Sequence, residues 1–197
     1  VYIDKKVYDQ FVGKLLEKTK AIVKGDPTQK DVYFGPVINA RAVKTFEGAV
    51  ESAKNGGKIL TGGKVMKDSL FAKGTFVEPT VAELPLTHEL FKRELFVPFL
   101  SIAPVSGLDE ALREANDCEY GLTAGIFSKK SDEIARFFDE IEAGVCYANR
   151  KTGATTGAWP GVQSFCGWKG SGATGKGGCG PYYVQQFMRE QSRTVME

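Results

Sequence analysis

From Leu95 to Ala148 short apolar runs alternate with amphipathic stretches, and this alternation restricts the fold more than any other feature of the chain. Leu95 to Val105 is almost continuously apolar, which fits a strand buried on both faces. Ser106-Gly-Leu-Asp109 matches a capping box and is followed by Leu108, Ala111, Leu112 and Ala115 at helical spacing. Tyr120-Gly121 turns the chain into a strand predicted over Leu122 to Phe127. Ile134, Phe137, Phe138 and Ile141 mark another helix, and Val145 to Ala148 another strand. The order β-α-β-α-β implies an α/β fold in which a mostly parallel sheet carries helices. With 197 residues, 42% hydrophobic and 25% charged, the chain can fill one substantial core or two small ones.

Upstream, Val1-Tyr2-Ile3 reads as a strand, and a helix follows from Asp4 with Val7, Phe11, Leu15, Ile22 and Val23 on one face. Gly25-Asp26-Pro27 stops it. A strand at residue 1 needs neighbours, so the start is expected to be the middle of something longer. Asn39 can cap a second helix carrying Val43, Phe46, Val50 and Ala53, ended by Asn55-Gly56-Gly57. A strand is predicted over Lys58 to Thr61, broken by Gly62-Gly63, and an extended segment over Thr75 to Leu84, interrupted by Pro79. Residues 1–185 read as one domain. In the remaining tail, 186–197, Phe187 to Met196 alternate too weakly for a core strand, which predicts pairing elsewhere.

The stretch Asn149 to Pro181 is where a ligand is expected. Ten of the 28 residues from Gly153 to Gly180 are glycine, and each bares backbone N–H groups that can turn toward an anion or a cofactor. A flexible linker is the plainer reading. Against it stand Trp159, Pro160, Phe165 and Trp168, which are costly to leave in water and favour a folded, buried loop. The stretch leaves the carboxyl end of the last strand, where open α/β sheets place ligands. Gly170 to Gly175, Gly175 to Gly180 and Gly170 to Lys176 match phosphate-loop spacings, but weakly: no apolar strand precedes them, Gly177 takes the place of the magnesium-binding Ser or Thr, and no helix can begin promptly before Pro181.

Net charge is only +2, with basic residues spread thinly, which gives no footprint for nucleic acid or an anionic membrane. No apolar run approaches the roughly 18 residues of a membrane span, and the first residues lack signal-peptide order, so a cytoplasmic protein with a small-molecule or protein partner is expected. Cys118, Cys146, Cys166 and Cys179 form no C-x-x-C pair and the chain has a single histidine, His88, so no metal site is expected. Scattered cysteines of this kind read as buried, reduced thiols. His88 reads as a solvated or capping residue. Two readings of Glu94 stay open: an exposed charge, or a hydroxyl-binding carboxylate at the sheet edge.

Along nearly its whole length the chain resembles the aldehyde dehydrogenase superfamily. The matches run in order through Gly25-Asp-Pro27, Phe34-Gly-Pro-Val-Ile38, Gly62-Gly63, Thr75-Phe-Val-Glu-Pro-Thr80, Glu94-Leu-Phe-Val-Pro98, Ala115-Asn116, Tyr120-Gly-Leu122 and Gly161 to Gly172. Asn149-Arg150-Lys151, Thr156-Gly-Ala158, Gly161-Val-Gln163, Lys176 and Gly180-Pro181 look most like the 1-pyrroline-5-carboxylate dehydrogenases, which oxidise glutamate semialdehyde to glutamate in proline catabolism.

The resemblance implies a three-layer catalytic domain with helices on both faces of the sheet, a C-terminal oligomerisation strand in the tail, and a homo-oligomer. It implies NAD as cofactor, with NADP as the alternative, bound mainly by a domain outside this chain. Glu94 matches the carboxylate that holds the nicotinamide ribose and Phe96 the ring beside the nicotinamide. Gly157 and Ala158 match the loop whose N–H groups take the substrate carboxylate, and Phe165 an aromatic wall. The nucleophilic cysteine and the general base are implied to lie upstream of Val1, so these residues alone are expected to be inactive. The chain departs from the family at Val97, at Ser164 and Cys166, and in three residues inserted between Lys151 and Thr156. A non-catalytic module retaining only an oligomerisation surface is the alternative.

Overall fold

The computed structural model describes residues 1–151, 158, 159, 161–172 and 176–197. They cluster into two compact units, Val1–Glu114 and Ala115–Glu197.

The first unit is built on a four-stranded sheet in the order β1-β4-β3-β2, with β1 at Tyr2–Asp4, β2 at Lys58–Thr61, β3 at Thr80–Glu83 and β4 at Phe99–Val105. β1 and β3 both run parallel to β4, and β2 is antiparallel to β3. Alternation along each strand divides the residues between two faces. Ile3, Val81 and Ile102 form one buried cluster with Leu60 and Leu100, and helix α1 (Tyr8–Lys20) packs on it through Tyr8, Val12, Leu15 and Leu16. Ala82 belongs to the opposite cluster with Ile59 and Phe99, covered by Ala49 and Ala53 of helix α2 (Ala40–Gly56). Helices thus lie on both faces, as a mostly parallel sheet requires.

The face of α1 differs from the expected one. Val7, Phe11 and Val23 are half-exposed, and the half-buried stripe packed on the sheet is displaced by one position to Tyr8, Val12 and Leu16, with Leu15 common to both. One residue is a rotation of roughly 100°, and both stripes satisfy helical spacing, so the sheet decides. The Tyr8 hydroxyl also donates to the Glu83 carboxylate on that face, and burial together with this bond pushes the phenol well above its ordinary pKa. α2 follows its expectation: Asn39 Oδ1 accepts from the Ala42 N–H at 3.0 Å, and Phe46, Val50 and Ala53 are buried. Gly62 (φ +76°) and Gly63 (φ +90°) end β2, and a Cβ on Gly62 would stand 2.4 Å from the Pro79 carbonyl oxygen.

The strands predicted over Thr75–Leu84 and Leu95–Val105 are shorter. β3 begins after Pro79 and β4 after Pro98, residues without an N–H to give to a ladder. The Pro98 carbonyl still accepts from Thr80 N at 2.9 Å. Helix α3 spans Leu108–Asn116, and its start is capped differently from the expectation. Glu110, not Asp109, accepts from the Ser106 backbone N–H (2.7 Å) and hydroxyl (2.8 Å).

In the second unit β6 (Thr123–Ile126) and β7 (Val145–Ala148) are parallel and joined through helix α4 (Ser131–Glu140). The strand predicted over Leu122–Phe127 is shorter, Thr123–Ile126, and Tyr120–Gly121, expected to turn the chain, forms β5, antiparallel to β8 (Trp168–Lys169). Asn116 holds the end of α4, donating to the Glu140 carbonyl at 2.8 Å and accepting from Glu142 N at 2.9 Å.

Candidate functional site

In the first unit the candidate residues lie on the loop between a short 3-10 helix, Glu89–Phe91, and β4. Leu95 turns inward onto the Ala49/Ala53 cluster and Val97 onto the Phe46/Val77 cluster. With two neighbours anchored inward, Phe96 is driven out: its backbone is left-handed (φ +53°) and its ring 86% exposed. A non-glycine residue in that region costs about 1 kcal/mol or more, sustained by the flanking packing. Glu94 is exposed as well, and among the described residues no hydrogen bond or ion pair engages its carboxylate. Both side chains are thus open to solvent on one loop. His88 caps the 3-10 helix, Nδ1 accepting from Leu90 N (3.2 Å) while Nε2 lies 3.4 Å from the Ser52 carbonyl. Both contacts are met by the neutral ring with its proton on Nε2, as a capping residue needs.

In the second unit the site begins at Asn149, at the carboxyl end of β7. Its backbone is left-handed (φ +54°), a conformation Asn tolerates. Its amide grips Ser128, accepting from the backbone N–H at 3.0 Å and donating to the carbonyl at 2.9 Å, while its own N–H donates to Ile126 at 2.8 Å. These bonds turn the chain out of β7 at a fixed angle. Beyond it a concave site of about 510 Å³ is lined by residues that include Cys146, Ala148, Arg150, Ala158, Trp159 and Ser164. The Arg150 guanidinium stands 5.8 Å from the centre of the Tyr147 ring.

Ala158 therefore lines a cavity, whereas Gly157 lies outside the described residues. Phe165 is half-buried and bonded in both directions to Gly178 (2.8 and 3.1 Å), but it is not among the cavity's described lining residues. The expected burial of the tryptophans is not observed: Trp159 is 67% and Trp168 52% exposed. Backbone bonds hold the described loop residues instead, with Gly161 N donating to Cys179 O at 2.6 Å and Gln163 N to Trp159 O at 2.8 Å. The phosphate-loop matches include residues 173–175, outside the described set.

The four cysteines are thiols outside any disulfide, but not buried as expected: Cys118, Cys146 and Cys166 are half-buried and Cys179 is exposed. Burial pushes the Cys146 thiol up, and Cys166 adds to the shift. Sequence reasoning missed the Asn149 clamp and the cavity-lining roles of Cys146 and Arg150. An Asn directly after a strand was the available signal for the first. Among the described residues no group of three or more His, Cys, Asp or Glu could hold a metal ion, and no helix is long and apolar enough to cross a membrane.

Residues 1–193 match the family model described as "Aldehyde dehydrogenase family". The chain is 38% identical over 196 residues to 1-pyrroline-5-carboxylate dehydrogenase of Bacillus licheniformis, covering 99% of this chain and 36% of that protein. It therefore spans little more than a third of the relative's length. Among solved structures, 1-pyrroline-5-carboxylate dehydrogenase from Thermus with bound NAD superimposes with a TM-score of 0.77 at 32% identity, covering 85% of this chain and 31% of that one. Lactaldehyde dehydrogenase from Escherichia coli does so with a TM-score of 0.85 at 29% identity, covering 97% and 38%. A match across nearly every residue, on an α/β scaffold shared with these enzymes, leads to one conclusion: the chain belongs to the aldehyde dehydrogenase family.

Proposed function

We propose that this chain is the part of an NAD-dependent 1-pyrroline-5-carboxylate dehydrogenase that walls the cofactor and substrate sites, and that the whole protein oxidises glutamate semialdehyde to glutamate. The observation that carries the reading is identity of 38% to a protein of that name across 99% of the chain. Glu94 would accept hydrogen bonds from the nicotinamide ribose hydroxyls, and Phe96 would lie beside the nicotinamide. NAD supplies the hydride acceptor. At the other end of the substrate, unshielded N–H groups at Gly157 and Ala158 would take the α-carboxylate, since small side chains let an anion approach the backbone. Phe165 would exclude water from the aliphatic chain.

The nucleophilic thiol and general base are assigned outside these 197 residues. β1 is parallel to β4, and Val1 N donates to Ser101 O at 2.7 Å, so residues joined before Val1 in a longer chain would be delivered toward the amino end of β4, where the Glu94–Phe96 loop lies.

In the full-length protein, Ala158→Val is expected to push the carboxylate away and cost one or two charge-assisted bonds of roughly 1.5–3 kcal/mol each. KM for glutamate semialdehyde should then rise far more than KM for propanal, which has no carboxylate. Equal weakening of both would remove the substrate assignment. The 197 residues alone are expected to show no aldehyde oxidation, and turnover by them would overturn the placement of the nucleophile.

A further inference from the structure

Cys146 and Cys166 lie twenty residues apart in sequence and share one turn of backbone in the fold. Cys146 Sγ lies 3.3 Å from the Ala143 carbonyl oxygen and Cys166 Sγ 3.3 Å from that of Gly144, the next residue. The backbone of Cys166 presses directly on Gly144: a Cβ there would stand 1.9 Å from the Cys166 carbonyl oxygen and 2.5 Å from its carbon. The two sulfurs thus sit on consecutive carbonyls of the bend that leads into β7. Both thiols are free and half-buried, and beside burial the neighbouring Cys166 helps to raise the Cys146 thiol. Neither the capping network nor the proposed carboxylate anchor uses either sulfur.

We propose that Cys146 and Cys166 are a redox pair, which a peroxide closes into an intrachain disulfide that ties the Phe165–Gly167 segment to β7. In the first step one thiol gives up its proton and its sulfur attacks an oxygen of hydrogen peroxide; the S–O bond forms as the O–O bond breaks, and the leaving hydroxide takes up that proton, giving a sulfenic acid and one water. In the second the other sulfur displaces the hydroxyl as a second water and the S–S bond forms. The two thiols together lose two electrons and two protons, and the peroxide gains them. Cys146 and Ser164 both line the 510 Å³ cavity, so the closed bond would fix two of its walls. A dithiol bridged this way is protected from irreversible oxidation further along the sulfur ladder, and a thiol reductant restores it.

The test treats the protein with hydrogen peroxide, blocks remaining thiols by alkylation and maps tryptic peptides without reduction. The expected product joins the peptides Phe137–Arg150 and Thr152–Lys169, is lighter than their sum by two hydrogens, and disappears on treatment with dithiothreitol. Alkylation should be lost at Cys146 and Cys166 and retained at Cys118 and Cys179. Cys146→Ser and Cys166→Ser should each abolish the linked species, whereas Cys118→Ser and Cys179→Ser should leave it. Sulfinic or sulfonic acid at Cys146 or Cys166 without a linked peptide, full alkylation of both thiols, a link to Cys118 or Cys179, or a link between two chains would each overturn the proposal. Should a serine variant fail to fold, the wild-type peptide map and its reversal still decide.

Discussion

Leu95 and Val97 are held by two different core clusters, and Glu94 and Phe96 are thereby pushed into solvent. If Glu94 holds ribose hydroxyls, Glu94→Gln in the full-length protein should weaken NAD binding by roughly 1.5–3 kcal/mol, about 10- to 150-fold in Kd. Titration of NAD by fluorescence checks it, and an unchanged Kd would leave Glu94 an ordinary surface charge. Two glycines make a contrasting pair. At Gly144 an added Cβ meets the Cys166 carbonyl at 1.9 Å, so Gly144→Ala is expected to destabilise by about 1–3 kcal/mol. Gly48 is exposed within α2 with nothing within 4 Å of an added Cβ, and Gly48→Ala should stabilise by about 0.5–1 kcal/mol. Denaturant melts of the two variants should move in opposite directions.

The elements owe their limits to polar groups more than to apolar spacing. Asn39 satisfies one orphan N–H at the start of α2, and Asn39→Ala is expected to cost about 1 kcal/mol in the same melts. At α3 the bonds from the Ser106 N–H and hydroxyl hold the Glu110 carboxyl below its ordinary value. A carboxylate whose folded pKa is depressed adds stability above its unfolded pKa, and that contribution is lost as pH falls through the folded one. An NMR titration should place the Glu110 midpoint below the ordinary glutamate range, and Ser106→Ala should move it back up. An unshifted midpoint in the parent protein would mean that the cap is not formed in solution.

For the whole molecule, the first unit rests on Phe46, only 1% exposed and packed with Val50 and Val77. Phe46→Ala should cost about 3–5 kcal/mol, a large part of the roughly 5–15 kcal/mol that holds an ordinary domain together. The tail behaves differently. Phe187, Met188, Val195 and Met196 are all exposed, so residues 186–197 add little to the monomer's own core. Their apolar side chains suit an added strand on a second copy of the chain. Removing 186–197 is expected to lower the mass measured by light scattering and to leave the melting of the remaining protein nearly unchanged. An unaltered mass would exclude the tail as the assembly element.

Sequence alone settled the α/β class, α2 with its Asn39 cap, strands β2 and β7, and the family, because each depends on local chemistry: a capping amide, a glycine pair, a short apolar run, an ordered set of motifs. Tertiary structure decided what several local patterns satisfy equally well. Two stripes of α1 fit helical spacing, and the sheet beneath chose Tyr8, Val12 and Leu16. Proline cannot donate to a ladder, so β3 and β4 start after Pro79 and Pro98 although the apolar character begins earlier. The exposure of Trp159 and Trp168 and the approach of Cys166 to Gly144 join residues distant in sequence, and only the folded backbone sets how closely such residues meet.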